Sequence, residues 1–267
     1  MKIKKLTKKE ISLIPHSYDV IGSILIFSNF PKELIKKEKL VGEKLINEIK
    51  PVKTVCRKIG KYSGKYRLPK LKIIAGEKTK EILYKENNIS LKLNIEKVYF
   101  SSRSGNERLR ISKLVKKGEE VLVMFSGCAP FPCVIAKNSK AKSVVGIEIN
   151  PTAHKYALEN ITLNKLTNVG LIKGNVRKVL PKKKFDRILM PLPRSAEDYL
   201  DVALKASKKG AVIHFYDFLN EEEFGLAKEK ISKACKKAKK KFNVIKLVKC
   251  GHFGPNIYRV SLDFKVL

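Results

Sequence analysis

The stretch EEVLVMFSGCAPFPCVIAKNSKAKSVVGIEINP, Glu119 to Pro151, decides how this chain folds. Its first segment, EEVLVMFS, is a short apolar run rich in aliphatic residues and reads as a buried strand. Gly127 interrupts the run, and PFPCVIAKNS then opens with proline, the residue best tolerated in the first turn of a helix. KSVVGIEI reads as a second strand. Asn150 follows as a helix cap, with Pro151 at the first helical position of NPTAHKYALENITLNK. Strand, helix and strand in so few residues make a βαβ unit, whose two strands are parallel and whose crossover is right-handed.

The alternation continues towards the carboxyl terminus. VGLIKGN and FDRILMPLP read as strands, SAEDYLDVALKASKKG as a helix started by Ser195 and stopped by Gly210, and AVIHFYDF as a further strand. A charged helix is predicted from Glu221 to about Lys241, followed by NVIKLVKC and IYRVSLDFKV joined at Gly254–Asn256. Residues 119–267 are therefore expected to form an α/β, Rossmann-like domain. Its sheet is mostly parallel, with helices on both faces and an antiparallel hairpin at the carboxyl-terminal edge. Residues 1–102 read as a smaller α+β domain: a strand-like SYDVIGSILIFS, an amphipathic helix in PKELIKKEKLVGEKLINEIK, and short strands with turns at Gly76 and Asn87–Asn88. Residues 103–118, around NERLRISKLVKK, are read as a connecting helix.

Composition narrows the class of partner. Lysine and arginine number 58 against 25 acidic residues, a formal charge of +33. A field of that sign favours a polyanion, and nucleic acid is the natural one because each neutralised phosphate releases counterions. Arginine is scarce, yet five of the nine arginines lie between Arg57 and Arg110. Scarce, clustered guanidinium groups suggest forked recognition of phosphate or a base edge. The five scattered cysteines contain no C-x-x-C pair, and the four histidines lie apart, so neither a disulfide framework nor a metal site is predicted. No apolar run reaches membrane-spanning length and no leader is read at the amino end, so a cytoplasmic protein without a membrane partner is expected.

In a doubly wound sheet, ligands lie beyond the carboxyl ends of the strands. The first such loop, FSGCAPFP, holds the single Gly127 and lacks the G-x-G-x-x-G of a dinucleotide site. No G-x-x-x-x-G-K-[ST] occurs anywhere. Glu148, at the end of the second strand, is placed to accept ribose hydroxyls. At the end of the fourth strand, MPLP sets Pro191 and Pro193 around Leu192, a stiff turn where a site would be shaped.

A turn of this kind after the fourth strand resembles that of class I S-adenosylmethionine-dependent methyltransferases acting on planar nitrogens. SYDVIGSI, YSGKYRLPKLKIIAGEKTKEILYKENN, VYFSSRSGNERLRISKLV, EINPTAHKYALENITLNKLTNV and DRILMPLPRSAEDYL through GAVIHFYDF resemble, in order, the blocks of the archaeal and eukaryotic tRNA (guanine-37-N1)-methyltransferases. The resemblance spans nearly the whole chain. It implies that Glu107 takes the guanine N1 proton, Arg67 faces O6, Arg103 orients the base or a neighbouring phosphate, and Pro193 forms part of the floor under the base. It also implies that Arg108, Phe125, Gly127, Glu148, Ile149, Asn175, Val176, Pro191 and Leu192 surround S-adenosylmethionine. A tRNA anticodon stem-loop is the implied partner, with DNA and metal unexpected and a monomer expected. Many members carry a further small amino-terminal domain for the tRNA elbow, which this chain is expected to lack.

Three positions depart from the family pattern. Val123 stands where Asp is usual, Gly174-Asn175 where Gly-Asp is usual, and Pro191 where Asn-Leu-Pro would begin. Three other readings stay open at this point: an aminocarboxypropyl transferase of the wybutosine pathway, a methyltransferase acting on a wyosine precursor, and a non-catalytic RNA-binding relative.

Overall fold

The computed structural model describes residues 5–60, 64–192 and 194–267. The chain divides into two compact units, one of Met1–Lys85 with Ser90–Phe100 and one of Glu86–Ile89 with Ser101–Leu267.

The first unit contains α1 (Lys8–Ser12), β1 (Tyr18–Ile21), β2 (Ile24–Phe27), α2 (Glu38–Glu48), β3 (Thr54–Lys58), β4 (Leu71–Gly76), β5 (Glu81–Glu86) and β6 (Ile89–Asn94). Strands β1 to β4 form one sheet in that order, and β5 pairs with β6. The single strand read in SYDVIGSILIFS is instead the antiparallel hairpin β1–β2. Gly22, at φ +59°, supplies the left-handed residue that the reversal needs. Helix α1 was not legible as an element. Thr7 and Glu10 close a capping box around it, which holds a five-residue helix that has no buried face. Leu25, Phe27, Leu34, Val41, Leu45, Val55 and Ile74 make the core of this unit.

The second unit contains α3 (Gly105–Leu114), β7 (Glu120–Met124), α4 (Pro130–Asn138), β8 (Ser143–Glu148), α5 (Pro151–Leu163), β9 (Val169–Lys173), α6 (Val176–Val179), β10 (Phe185–Met190), α7 (Leu200–Ala206), β11 (Ser207–Asn220), α8 (Phe224–Lys237), β12 (Phe242–Gly254) and β13 (Ile257–Val266). Its seven strands run in the order β12-β13-β11-β10-β7-β8-β9. Strands β9 to β11 are parallel neighbours through β8, β7 and β10, whereas β13 enters antiparallel between β11 and β12. This is the Rossmann-like sheet expected from the alternation, with the hairpin at its edge.

Period-two alternation sends successive side chains to opposite faces. Leu122, Met124, Ile188, Met190, Ile213 and Phe215 pack on one face with residues of α7 and α8. Val121, Val123, Leu189 and Tyr216 pack on the other with Ile111 of α3 and Phe131 and Ile135 of α4. Val123 is thus a fully buried core position, which accounts for an aliphatic side chain there.

The helix read from Ser195 to Gly210 ends early. A 3₁₀ turn at Ala196–Tyr199 leads into α7, and β11 already begins at Ser207. The Ser207 hydroxyl donates to Leu204 O and closes the helix over 2.8 Å. Gly210, at φ +81°, lies in a bulge where the β10–β11 register jumps. The charged helix is likewise shorter, with a 3₁₀ turn at Glu221–Glu223 before α8 and Lys239 at φ +53° after it. Among the described residues, no helix is long and apolar enough to cross a membrane.

Candidate active site

The loop after β7 is wound by three left-handed residues, Phe125 (φ +58°), Gly127 (φ +57°) and Ala129 (φ +68°). Two side chains from neighbouring elements hold it. Glu148, at the carboxyl end of β8, accepts the Gly127 amide on Oε2 over 2.7 Å and the Asn150 amide on Oε1 over 2.6 Å. Asn160 of α5 donates through Nδ2 to Cys128 O over 2.9 Å. Burial pushes the Glu148 carboxyl up, while the amides of Asn150 and Gly127 favour its charged form. The Ile149 amide adds a third backbone hydrogen bond, which leaves one of the four lone-pair sites of the carboxylate for a hydroxyl donor. Gly146, beside this loop, allows the close approach: a Cβ there would lie 2.9 Å from Ser126 Oγ and 2.8 Å from Leu171 Cδ2. Ile149 follows at the same strand end and is half-buried.

The loops after β9 and β10 complete this end of the sheet. Asn175 caps α6, its Oδ1 accepting the Arg177 amide over 3.0 Å, so a base edge would meet its Nδ2 as donor. The Val176 side chain is buried in the core. After β10, the Leu192 amide donates to Met190 O over 2.7 Å, closing a tight turn about Pro191. Leu192 packs on the same core cluster as Val176. Pro193 lies outside the described residues. Tyr199, which the sequence reading did not single out, sets its ring edge-on to Phe125 at 4.9 Å between centroids. The Arg177 guanidinium lies over the Tyr199 ring at 5.0 Å from its centroid and pairs with Asp201.

Helix α3 carries the proposed base. Glu107 is buried, accepting from the Tyr216 hydroxyl over 2.6 Å and from Arg110 Nε and Nη2 over 2.7 and 2.8 Å. Arg108 is buried too and forks onto both oxygens of Glu86. Burial pushes the Cys128 thiol up to about 12. Ile111 of α3 packs with Phe131 and Ile135 of α4, the helix that follows the β7–α4 loop. Arg103 lies in the 3₁₀ turn Ser102–Ser104 that leads into α3 and is exposed. Arg67, exposed in a turn at φ +50°, belongs to the first unit, whereas every other described candidate belongs to the second.

The structure therefore brings Phe125, Gly127, Glu148, Ile149, Asn175, Val176, Pro191 and Leu192 to the carboxyl ends of four adjacent parallel strands. Tyr199, Asn160, Arg110 and Tyr216 were missed. Arg110 lay within the arginine cluster and was legible as a neighbour of Glu107. Tyr216 stands 109 residues from Glu107, and no local pattern links them.

The chain is similar to known proteins over nearly its whole length. The family model described as "TRM5/TYW2 methyltransferase domain" matches residues 82–245, and the "TYW2 N-terminal domain" model matches residues 2–79. The chain is 40% identical over 254 residues to the tRNA (guanine(37)-N(1))-methyltransferase Trm5b of Pyrococcus abyssi, covering 95% of this chain and 76% of that protein. The crystal structure of that Trm5b superposes with a TM-score of 0.88 at 38% identity, covering 99% of this chain and 79% of that one. A tRNA(Phe) (4-demethylwyosine(37)-C(7)) aminocarboxypropyltransferase of Methanocaldococcus jannaschii is 32% identical, covering 93% of this chain and 97% of that protein. The structure of Pyrococcus horikoshii TYW2 in complex with MeSAdo superposes with a TM-score of 0.86 at 28% identity, covering 98% of this chain and 95% of that one.

Proposed function

Because this chain belongs to the TRM5/TYW2 methyltransferase family, we propose that it methylates N1 of guanine 37 in tRNA. One observation carries the reading: a buried carboxylate, Glu107, is held by Tyr216 and Arg110 at the start of a helix packed on α4, which follows the loop that Glu148 holds. N1 of guanine is protonated near neutrality, so methylation needs a base within reach of that proton.

The residues at the strand ends fit an adenosyl group. Glu148 offers a remaining lone pair to a ribose hydroxyl, and Phe125, Tyr199 and Leu192 supply apolar surface at the same strand ends. Asn175 Nδ2 offers a donor to an adenine edge. S-Adenosylmethionine, when bound, supplies an electrophilic methyl group on a sulfonium.

In this reading Glu107 takes the N1 proton, and the electron pair of the N–H bond stays on nitrogen. Arg67 stabilises the charge that moves onto O6, and Arg103 orients the base or a phosphate. The turn about Pro191 supports the extruded base, since an enzyme working on a ring nitrogen must remove it from its stack. The charge of +33 suits a tRNA partner.

A second reading is aminocarboxypropyl transfer to a modified guanine, the activity named for a relative that is 32% identical over 93% of this chain. The match of residues 2–79 to the TYW2 N-terminal model points the same way. Nucleoside mass analysis separates the two. A transcript with guanine at position 37 is incubated with S-adenosylmethionine and the protein, with Glu107→Gln as control. A methyl-sized gain lost in the control supports the main reading, and a larger gain, or none without a modified substrate, supports the second.

A further inference from the structure

Glu107 is one end of a buried polar chain that crosses one face of the sheet. Arg110, which grips Glu107, also donates through Nη1 to Asp263 Oδ2 over 2.7 Å. Asp263 Oδ1 accepts from the Ser261 hydroxyl and lies 2.7 Å from His214 Nδ1, and His214 Nε2 lies 2.8 Å from Arg187 Nη1. Arg187 closes the chain on Glu119 over 2.7 Å. The antiparallel register brings these groups together: His214 faces Asp263, and Tyr216 faces Ser261.

Arg187 always donates, so its contact fixes His214 Nε2 as acceptor and Nδ1–H as the donor to Asp263. Burial, with the charges of Arg187 and Arg110, lowers the basicity of His214 although Asp263 opposes this, so the ring is neutral. Burial raises the Asp263 carboxyl, but the His214 hydrogen bond and Arg110 override it and keep Asp263 ionised. Glu107 and Asp263 thus share the guanidinium of Arg110. Burial keeps the Tyr216 hydroxyl protonated and pushes the Cys250 thiol up to about 12, and Arg259 donates to Cys250 O and to the Ser104 hydroxyl just before α3.

We propose that Tyr216, Arg110 and Asp263 are positioning residues for the Glu107 base: Tyr216 and Arg110 hold the carboxylate still, and Asp263 shares the guanidinium and so leaves Glu107 able to accept a proton. The inference rests on Glu107 being the base. A carboxylate that has a guanidinium to itself is a poorer proton acceptor than one that shares it with a second carboxylate.

The experiment is the single-turnover transfer rate against pH on a guanine-37 transcript, for the wild-type protein, Tyr216→Phe, Asp263→Asn and Glu107→Gln. Tyr216→Phe removes a donor to the carboxylate and should move the acid limb up by about half a pH unit. Asp263→Asn gives Arg110 wholly to Glu107. It should move the acid limb down by about one pH unit and lower the plateau about tenfold. Opposite shifts are not produced by general loosening of the fold. Unmoved limbs, or shifts of one sign, in variants that still bind S-adenosylmethionine overturn the proposal while leaving the base reading standing. An active Glu107→Gln removes the base reading itself and the proposal with it. If Asp263→Asn does not fold, Tyr216→Phe decides alone, and an unmoved acid limb overturns the proposal.

Discussion

Glu148 holds Gly127 by a 2.7 Å hydrogen bond from the loop amide to its carboxylate, joining the ends of the first two parallel strands of the second unit. With Asn150 on the other oxygen, the side chain sets the loop before any ligand arrives. Glu148→Gln turns an NH₂ group towards one of these amides. We expect S-adenosylmethionine affinity, by calorimetry, to fall about 10- to 100-fold, with a loss of about 1–3 kcal/mol in denaturant stability.

Tyr199 supports Phe125 by an edge-on ring contact at 4.9 Å. Such a pair contributes about 0.5–1.5 kcal/mol beyond its buried area. Tyr199→Ala should therefore weaken cofactor binding roughly 3- to 10-fold, and Tyr199→Phe should leave it near wild type. Equal binding by all three would show that the ring contact does not shape the site.

Arg187 is buried between Glu119, His214 and Leu114 O. Removing one partner of a buried pair costs about 3–5 kcal/mol, because it strands the other charge. Thermal unfolding of Arg187→Met should show a loss of that size. Adding Glu119→Leu should return part of it.

Asp263 gives stability a pH dependence of definite sign. Burial raises its carboxyl, and His214 and Arg110 together hold it below the ordinary aspartate value of 3.8. The unfolded chain therefore takes up the proton first. The stabilisation is present above the unfolded value and is lost as pH falls through it towards the native one. Urea unfolding of wild type and Asp263→Asn should thus converge on acidification from about pH 6 to about pH 3. A constant gap would mean that Asp263 carries no such linkage.

Binding to tRNA should weaken steeply with salt, as a charge of +33 requires if phosphates are the contact. Between roughly 50 and 200 mM monovalent salt we expect a loss of about 10²-fold or more. A flat dependence would exclude a phosphate-dominated interface.

The strand, helix and strand of residues 119–151, Asn150 as a cap with Pro151 after it, and Glu148 at a strand end were all legible in the sequence. Each follows from period, capping or chain reversal acting over a few residues. Gly210 shows the limit of such reading. A left-handed glycine serves a helix end and a strand bulge equally well, and only the pairing of β11 with β10 and β13 selected the bulge. The surroundings of Glu107 lay further out of reach. Tyr216 and Asp263 meet α3 because β13 enters antiparallel beside β11, in a register that turns their side chains to the same face. Local periodicity arises from the sterics of neighbouring residues, so the chain alone specified the elements. The partners of a buried charge depend on strand order and register, which are settled only when the whole sheet packs.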